Sequence, residues 1–324
     1  MTDNSNLRGA KPPLSIVALA GGVGGAKLAD GLNRCLPYGQ LTVIVNTGDD
    51  FEHWGLRVCP DLDTVCYTLA GLANPETGWG RLGETFHTLE AISRLGAADW
   101  FRIGDRDLAT HIERTRRLAQ GESLSQITRE FCRAWDIAAS VLPMTDERVA
   151  TMVRTITQGE LAFQEYFVHQ RCEPEVAGFR FAGIDSARPA PGVLAALAAA
   201  DAIVFCPSNP WVSLDPILGL SGVRETLAEK AVVAVSPIIN GQTVKGPAAK
   251  MFAELGIRPS ASAVAEHYGR SISGFVLDSA DAGLDGEILQ MGITPLVVPT
   301  LMKSAEDRQR LAQDVLHFIE RLAA

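Results

Sequence analysis

Two loops near the start of the chain carry residue types that suit phosphate and divalent-cation binding. The first loop follows the apolar run 14–20, lacks side-chain bulk and opens into an expected helix. Such a loop lets backbone N–H groups and a helix N-terminus approach an anion closely. We therefore predict that this loop faces a phosphate, with the candidate binding residues Gly21, Gly22, Gly24, Gly25 and Lys27.

The second loop places two carboxylates at the end of the neighbouring apolar run, residues 41–45. Open α/β sheets bind ligands at the carboxyl ends of their strands, and Mg²⁺ favours one or two carboxylates with water and phosphate oxygens. Asp49 and Asp50 are therefore candidate catalytic and metal-binding residues. Asp61 and Asp63 begin the next helix and are further candidate metal ligands. The alternative is that Asp61 caps this helix and Asp63 is a first-turn charge.

The glycine loop departs from two well-known phosphate motifs. A Walker A loop requires a glycine and a Ser or Thr where Ala26 and Leu28 stand. The dinucleotide fingerprint fits Gly22 and Gly24 but then meets Lys27. A tight strand-to-helix turn whose glycines serve only the backbone is the alternative to an anion site.

Two later loops and one helix start supply further candidates. Ser208 and Asn209 follow an apolar run and stand between two prolines. This position suits contacts to phosphate, ribose or base; the alternative is a proline-rich loop whose polar residues serve only as caps. Lys245 follows another run and is either a second anion ligand or a plain surface lysine. Arg106 can clamp a phosphate or carboxylate. His111 is either a ligand or a satisfied structural histidine on its helix.

The elements that must position these residues alternate between strand and helix. Short β-branched runs separated by helical periodicity predict an α/β fold with a mostly parallel sheet and helices on both faces. We expect the core to comprise residues 14–82 and 144–324, with residues 83–143 as a helical insertion that forms a lid and residues 1–13 as a disordered lead-in. Within the second core segment, the runs 149–157 and 163–168 are predicted as strands.

Composition narrows the classes of function. The 324 residues carry a net charge of −9, which argues against a broad nucleic-acid surface but leaves room for a local basic site. The longest apolar stretch, residues 193–206, is interrupted by Asp201 and is too short for a membrane span. The 6 cysteines form no C-x-x-C pair, so we expect reduced thiols, a cytoplasmic protein and no zinc site.

Taken together, these blocks resemble the 2-phospho-L-lactate transferases of coenzyme F420 biosynthesis, whose bacterial members include phosphoenolpyruvate transferases. The resemblance extends over nearly the whole chain after residue 13. Each motif is weak alone, but their order and spacing are specific. The residues that carry it are 20–27, 46–54, 60–64, 104–111, 142–146, 163–168, 207–210 and 236–250.

The resemblance implies a Rossmann-like core and a homodimer that needs Mg²⁺. It implies transfer of a phospho-acid from its guanosine diphosphate-activated form to the ribityl hydroxyl of the deazaflavin Fo, releasing GMP and forming F420-0 or dehydro-F420-0. In this mapping the four aspartates serve the metal and the acceptor hydroxyl, and the glycine loop faces the diphosphate. Ser208, Asn209 and Lys245 lie on the guanosine side, while the insertion and the segment with Met144 cover Fo.

Two other classes of protein stay open at this point. An NAD(P)-dependent dehydrogenase would use Asp49 or Asp50 to bind a ribose, and a regulatory protein would bind a sugar nucleotide without catalysis. Within the transferase interpretation, phosphoenolpyruvate, 2-phospholactate and 3-phosphoglycerate are equally compatible with the sequence.

Overall fold

The computed structural model describes residues 13–323, so the predicted lead-in lies, except for residue 13, outside the described residues. The strands are β1 Ile16–Ala20, β2 Leu41–Val45, β3 Phe51–His53, β4 Leu56–Val58, β5 Ser140–Pro143, β6 Ala150–Thr155, β7 Gly159–Ala162, β8 Val176–Ala182, β9 Ala202–Phe205, β10 Ala231–Val235, β11 Ile238–Ile239, β12 Gln242–Thr243, β13 Gly274–Leu277 and β14 Thr294–Val297. The α-helices are α1 Gly22–Cys35, α2 Pro60–Leu69, α3 His87–Arg94, α4 Asp105–Ala119, α5 Leu124–Ala134, α6 Val193–Ala199, α7 Asp215–Leu218, α8 Val223–Leu227, α9 Ala248–Glu254, α10 Ala261–Tyr268, α11 Asp285–Gln290 and α12 Ala305–Leu322.

The centre of the protein is a sheet in the order β14-β13-β10-β9-β1-β2-β5, with 7 strands among residues 13–323. All neighbouring strands of this sheet run parallel. Every residue of β1 is buried, as expected for a central parallel strand that is covered on both faces. The predicted α/β fold class is therefore confirmed.

Alternate residues of β1 point into two separate hydrophobic cores. Val17 and Leu19 pack into the core beneath α6, α9 and α10. Ile16 and Ala18 pack into the core beneath α1, α2 and α12. Strand geometry sends successive side chains to opposite faces, so one apolar run anchors both helical layers.

Two sequence-based predictions need correction: the end of the helical insertion and the strand at residues 163–168. Residues 140–143 lie inside the expected insertion but form β5, the edge strand of the main sheet beside β2. The run 163–168 was predicted as a strand but turns helically after β7, with a π-helical turn at Glu165–His169. Phe163 and Tyr166 are both buried at a helical spacing, and a short apolar run does not separate this pattern from a strand.

The helical segment is tied firmly to the core. Helix α4 packs on β4, where the backbone N–H of Arg57 donates to Thr115 Oγ1 at 2.8 Å. Arg114 of the same helix is only 2% exposed.

Among the helices described here, none combines the length and apolarity needed to cross a bilayer.

Candidate active site

A cleft of about 630 Å³ opens at the carboxyl ends of the parallel strands. Gly21 follows β1, Asp49 follows β2, Ser208 follows β9 and Ser236 follows β10, and all four line this cleft. This is the edge at which open parallel sheets bind ligands. The cleft therefore collects most of the sequence-predicted residues.

The glycine loop forms one wall of the cleft and packs tightly against the loop after β9. A Cβ on Gly24 would lie 2.2 Å from the Pro207 carbonyl oxygen, and one on Gly25 would lie 2.6 Å from Ser208 Oγ. Gly21, Gly22 and Gly24 line the cleft, whereas Gly25 is buried and does not line it. The close packing therefore requires glycine at positions 24 and 25. At these two positions glycine serves the tight strand-to-helix turn, in addition to any contact that the loop makes with a ligand.

Asp49 and Asp61 are two buried carboxylates that face the cleft without a cationic partner in the described chain. Asp61 Oδ1 accepts from the Gly22 N–H at 2.7 Å, and its Oδ2 accepts from Asn46 Nδ2 at 3.0 Å. It lies inside α2 behind the N-cap Cys59, so it is not the helix cap. Asp49 is 5% exposed, and its Oδ1 has no hydrogen-bond partner within residues 13–323.

Burial shifts the protonation of this pair. It raises the pKa of Asp49 well above the usual range, and the charge of Asp61 raises it further. Burial also raises the pKa of Asp61 to about 6. Two buried carboxylates that resist ionisation together, one with a free oxygen, fit a divalent cation, since hard cations prefer carboxylate oxygens.

Asp50 and Asp63 differ from this pair because each is bonded to an arginine. Arg57 Nη2 donates to Asp50 Oδ2 at 3.2 Å. Arg114 binds Asp63 through both guanidinium nitrogens, with Nη1 at 3.0 Å from Oδ2. Burial raises the pKa of Asp50 to about 6 although Arg57 opposes the shift. Asp63 lines the cleft and Asp50 does not, so the predicted four-carboxylate cluster divides into two kinds.

His111 is buried at the cleft wall within a polar network. Its Nδ1 lies 3.3 Å from Arg114 Nη1, and its Nε2 lies 3.4 Å from Asp107 Oδ2. Tyr67 donates its hydroxyl to Asp107 Oδ1 at 2.7 Å. Arg106 stands one residue before Asp107 and so projects from another side of α4; it does not line the cleft and donates to the Leu82 carbonyl at 2.8 Å.

Two lysines line the same cleft. Lys27 Nζ donates to the Met302 carbonyl at 2.8 Å, and Lys245 Nζ donates to the Thr77 carbonyl. Burial lowers the pKa of Lys27, and the nearby charges of Arg308 and Lys245 lower it further. Two ammonium groups that line one cleft and interact electrostatically suit an anion there.

Ser208 and Asn209 fix the loop that follows β9. Ser208 Oγ donates to the Gly21 carbonyl at 2.8 Å and accepts from the Gly21 N–H at 3.1 Å. Asn209 Oδ1 accepts from the Trp211 N–H at 3.1 Å. Both residues line the cleft, but their hydroxyl and amide groups also hold the loop in place.

Aromatic side chains form another wall of the cleft. Trp100 stacks on His169 at 5.1 Å between ring centroids, and Phe163 stacks on Phe167 at 5.3 Å. Phe101 meets Phe51 edge-on at 4.8 Å. Trp100, Phe101, Phe163 and Phe167 all line the cleft. Flat apolar walls of this kind suit an aromatic ring system.

Met144 is not part of this wall, contrary to the sequence-based mapping. Its backbone N–H donates to the Val45 carbonyl at 2.8 Å and continues the pairing of β5 with β2. The side chain is 0% exposed within the hydrophobic core. Sequence reasoning assigned no individual role to Asn46, Asp107 or Arg114, because their roles depend on partners distant in the chain.

Comparisons with known proteins agree on one family. The model described as 2-phospho-L-lactate transferase CofD matches residues 16–294. The phosphoenolpyruvate transferase of Streptomyces griseus subsp. griseus is 45% identical over 318 residues, covering 96% of this chain and 100% of that protein. The 2-phospho-L-lactate transferase of Methanosarcina acetivorans is 38% identical over 301 residues, covering 93% and 98%.

A solved structure shares the fold. The crystal structure of protein BH3568 from Bacillus halodurans superposes with a TM-score of 0.61 at 13% sequence identity and covers 94% of this chain and 99% of that one. At this identity the likeness extends to the fold alone.

Proposed function

We propose, because the chain belongs to the 2-phospho-L-lactate transferase CofD family, that it transfers a phospho-acid from a guanosine diphosphate-activated donor to the ribityl hydroxyl of the deazaflavin Fo. The observation that carries this proposal is one cleft with an uncompensated carboxylate pair, two lysines and aromatic walls. These three features match a divalent cation, a diphosphate and a flat ring. Neither a dehydrogenase nor a simple sugar-nucleotide binder needs all three.

We further propose that the transferred acid is phosphoenolpyruvate. The relatives from Streptomyces griseus and Streptomyces coelicolor, at 45% and 43% identity, are named phosphoenolpyruvate transferases. Offering the guanylated forms of phosphoenolpyruvate, 2-phospholactate and 3-phosphoglycerate together with Fo tests this choice. Mass spectrometry should find the enolpyruvyl product in excess. A dominant lactyl or glyceryl product would contradict it.

The proposed reaction replaces the phosphoanhydride bond of the activated donor by a phosphodiester bond to Fo. The Fo hydroxyl oxygen attacks the phosphorus that carries the acid and forms a new P–O bond. The P–O bond to the GMP phosphate breaks, and GMP leaves with the bridging oxygen and its electron pair. Such a transfer depends mainly on positioning and on neutralising charge, so no covalent nucleophile is needed from the protein.

Asp49 and Asp61 would hold a Mg²⁺ ion, since their oxygens are buried, face the cleft and lack a cationic partner in the described chain. When bound, the ion would neutralise diphosphate charge and ease the departure of GMP. Asp49 is also the candidate acceptor of the hydroxyl proton, because its Oδ1 has no hydrogen-bond partner within residues 13–323. Lys27 and Lys245 would orient the diphosphate between them.

Ligand binding separates this proposal from its alternatives. GMP or GDP should raise the melting temperature, because a ligand that binds the folded state stabilises it. Fo should bind as well, with a change in deazaflavin fluorescence. NADP should do neither. Stabilisation by NADP without any response to guanosine nucleotides would favour a dehydrogenase, and guanosine binding without Fo binding would favour a regulatory protein.

A further inference from the structure

A second group of metal-type ligands lies beside the proposed cation site. Asp63, Asp107 and His111 each place one ligand atom within 4.8 Å of the others. All three residues line the cleft. Their spacing alone would suit a divalent ion, but another positive group is already there.

That group is the guanidinium of Arg114. It binds both oxygens of Asp63, and its Nη1 also lies 3.3 Å from His111 Nδ1 and 3.3 Å from the Arg57 carbonyl oxygen, to which it donates. Arg114 is 2% exposed and is absent from the cleft lining. A planar guanidinium that forms paired bonds to a carboxylate is fixed in orientation as well as charge.

We propose, on the basis of the cation site assigned above, that Arg114 is a resident cation that withholds Asp63, Asp107 and His111 from divalent ions and leaves the metal to Asp49 and Asp61. Arg114 is thus a positioning residue, since it acts through Asp63 and does not reach the cleft. Arg114 occupies Asp63 as Arg57 occupies Asp50, and together the two arginines explain why four predicted metal-binding aspartates yield one pair. A second ion next to the first would compete for the diphosphate and for the hydroxyl.

Counting bound Mn²⁺ by electron paramagnetic resonance tests this role on the full-length protein. The wild-type chain should bind one ion. Arg114→Gln should bind a second ion, because Asp63, Asp107 and His111 are then free to coordinate it. The double variant Arg114→Gln/Asp63→Asn also removes the carboxylate that Arg114→Gln sets free. It should again bind one ion, with a dissociation constant within about threefold of the wild type.

Arg116→Gln is the matched control, because Arg116 lies on the same helix but pairs with the exposed Glu113. It should bind one ion with unchanged affinity. Two ions on the wild-type protein, or one ion on a folded Arg114→Gln protein, would overturn the proposal.

The double variant decides the question if Arg114→Gln fails to fold, because removing both partners leaves no unpaired buried charge. If the double variant still binds the single ion, Asp63 is not one of its ligands, as the proposal requires. Loss of that ion would make Asp63 a ligand and overturn the proposal. A wild-type protein that binds no Mn²⁺ at all would instead refute the cation site on which the proposal rests.

Discussion

At the residue scale, the acidic side chains of the site are distinguished by their partners. Asp50 and Asp63 are neutralised by Arg57 and Arg114, while Asp49 and Asp61 are not bonded to any arginine or lysine in the described chain. The sequence indicates the acids but not this division, because Arg114 and Asp63 are 51 residues apart. Only the folded chain shows which carboxylates have an arginine partner.

Asp49→Asn should abolish transfer while stabilising the metal-free protein. The substitution removes a proposed metal ligand and proton acceptor, so we expect activity to fall by about 100-fold or more. It also removes a buried carboxyl whose pKa is raised by burial, so the melting temperature without metal should rise by about 2 °C. The exposed Asp185→Asn is the control and should change neither quantity. Near-normal turnover in Asp49→Asn would exclude that role.

Stabilisation by Mg²⁺ should grow with pH. The pKa of Asp61 is raised from 3.8 to about 6, so this group favours the folded state at low pH and loses that contribution as pH rises through about 6. The metal-free protein should therefore weaken between about pH 5 and pH 7.5, where an ion can replace the lost protons. Melting temperatures with EDTA and with Mg²⁺ at both pH values measure the effect. An equal Mg²⁺ gain at both would contradict it.

At the element scale, the start of α1 forms the glycine-rich wall of the cleft. The strand-to-helix turn was predictable from its glycines, because few other residues permit so close an approach. The partner of Gly24, the Pro207 carbonyl, was not predictable because it follows β9 far along the chain. The turn at Glu165–His169 was also missed, since its apolar residues serve a helical turn and the aromatic wall at once.

Gly24→Ala should push α1 away from the loop after β9. A Cβ would lie 2.2 Å from the Pro207 carbonyl oxygen, so we expect a loss of about 1–3 kcal/mol in the free energy of unfolding. Weaker GMP binding should accompany it. Gly286→Ala is the control, because a Cβ there meets nothing within 4 Å. Urea unfolding and a GMP titration test both expectations, and an unaffected Gly24→Ala protein would refute the close packing.

Trp100→Ala should weaken Fo binding by about tenfold, because it removes a flat side chain from the aromatic wall. GMP affinity should stay nearly unchanged, since the substitution leaves the proposed diphosphate ligands Lys27 and Lys245 in place. Leu95→Ala is the matched control in the same segment, with a side chain that is 86% exposed. Deazaflavin fluorescence and calorimetry measure the two affinities. Loss of GMP binding alone would place the aromatic wall on the nucleotide side.

At the scale of the whole molecule, an acidic chain builds a cleft that combines buried carboxylates, two lysines and aromatic walls. The alternation of strands and helices made the parallel sheet predictable, and the sheet explains why distant loops meet at one edge. The net charge of −9 does not prevent anion binding, because Lys27 and Lys245 are concentrated there. The antiparallel sheet β7-β6-β8 and the anchored position of α4 depend on long-range packing that local patterns do not reveal.

The transfer reaction itself is the most direct test of the central claim. Purified protein is mixed with Fo, guanosine diphosphate-activated phosphoenolpyruvate and Mg²⁺, and products are quantified by chromatography with mass spectrometry. We expect GMP and the phosphoenolpyruvyl ester of Fo in equal amounts, with both lost on adding EDTA and both lost in Asp49→Asn. Release of GMP without a modified Fo, or no turnover by a folded protein that binds both substrates, would contradict the transferase assignment.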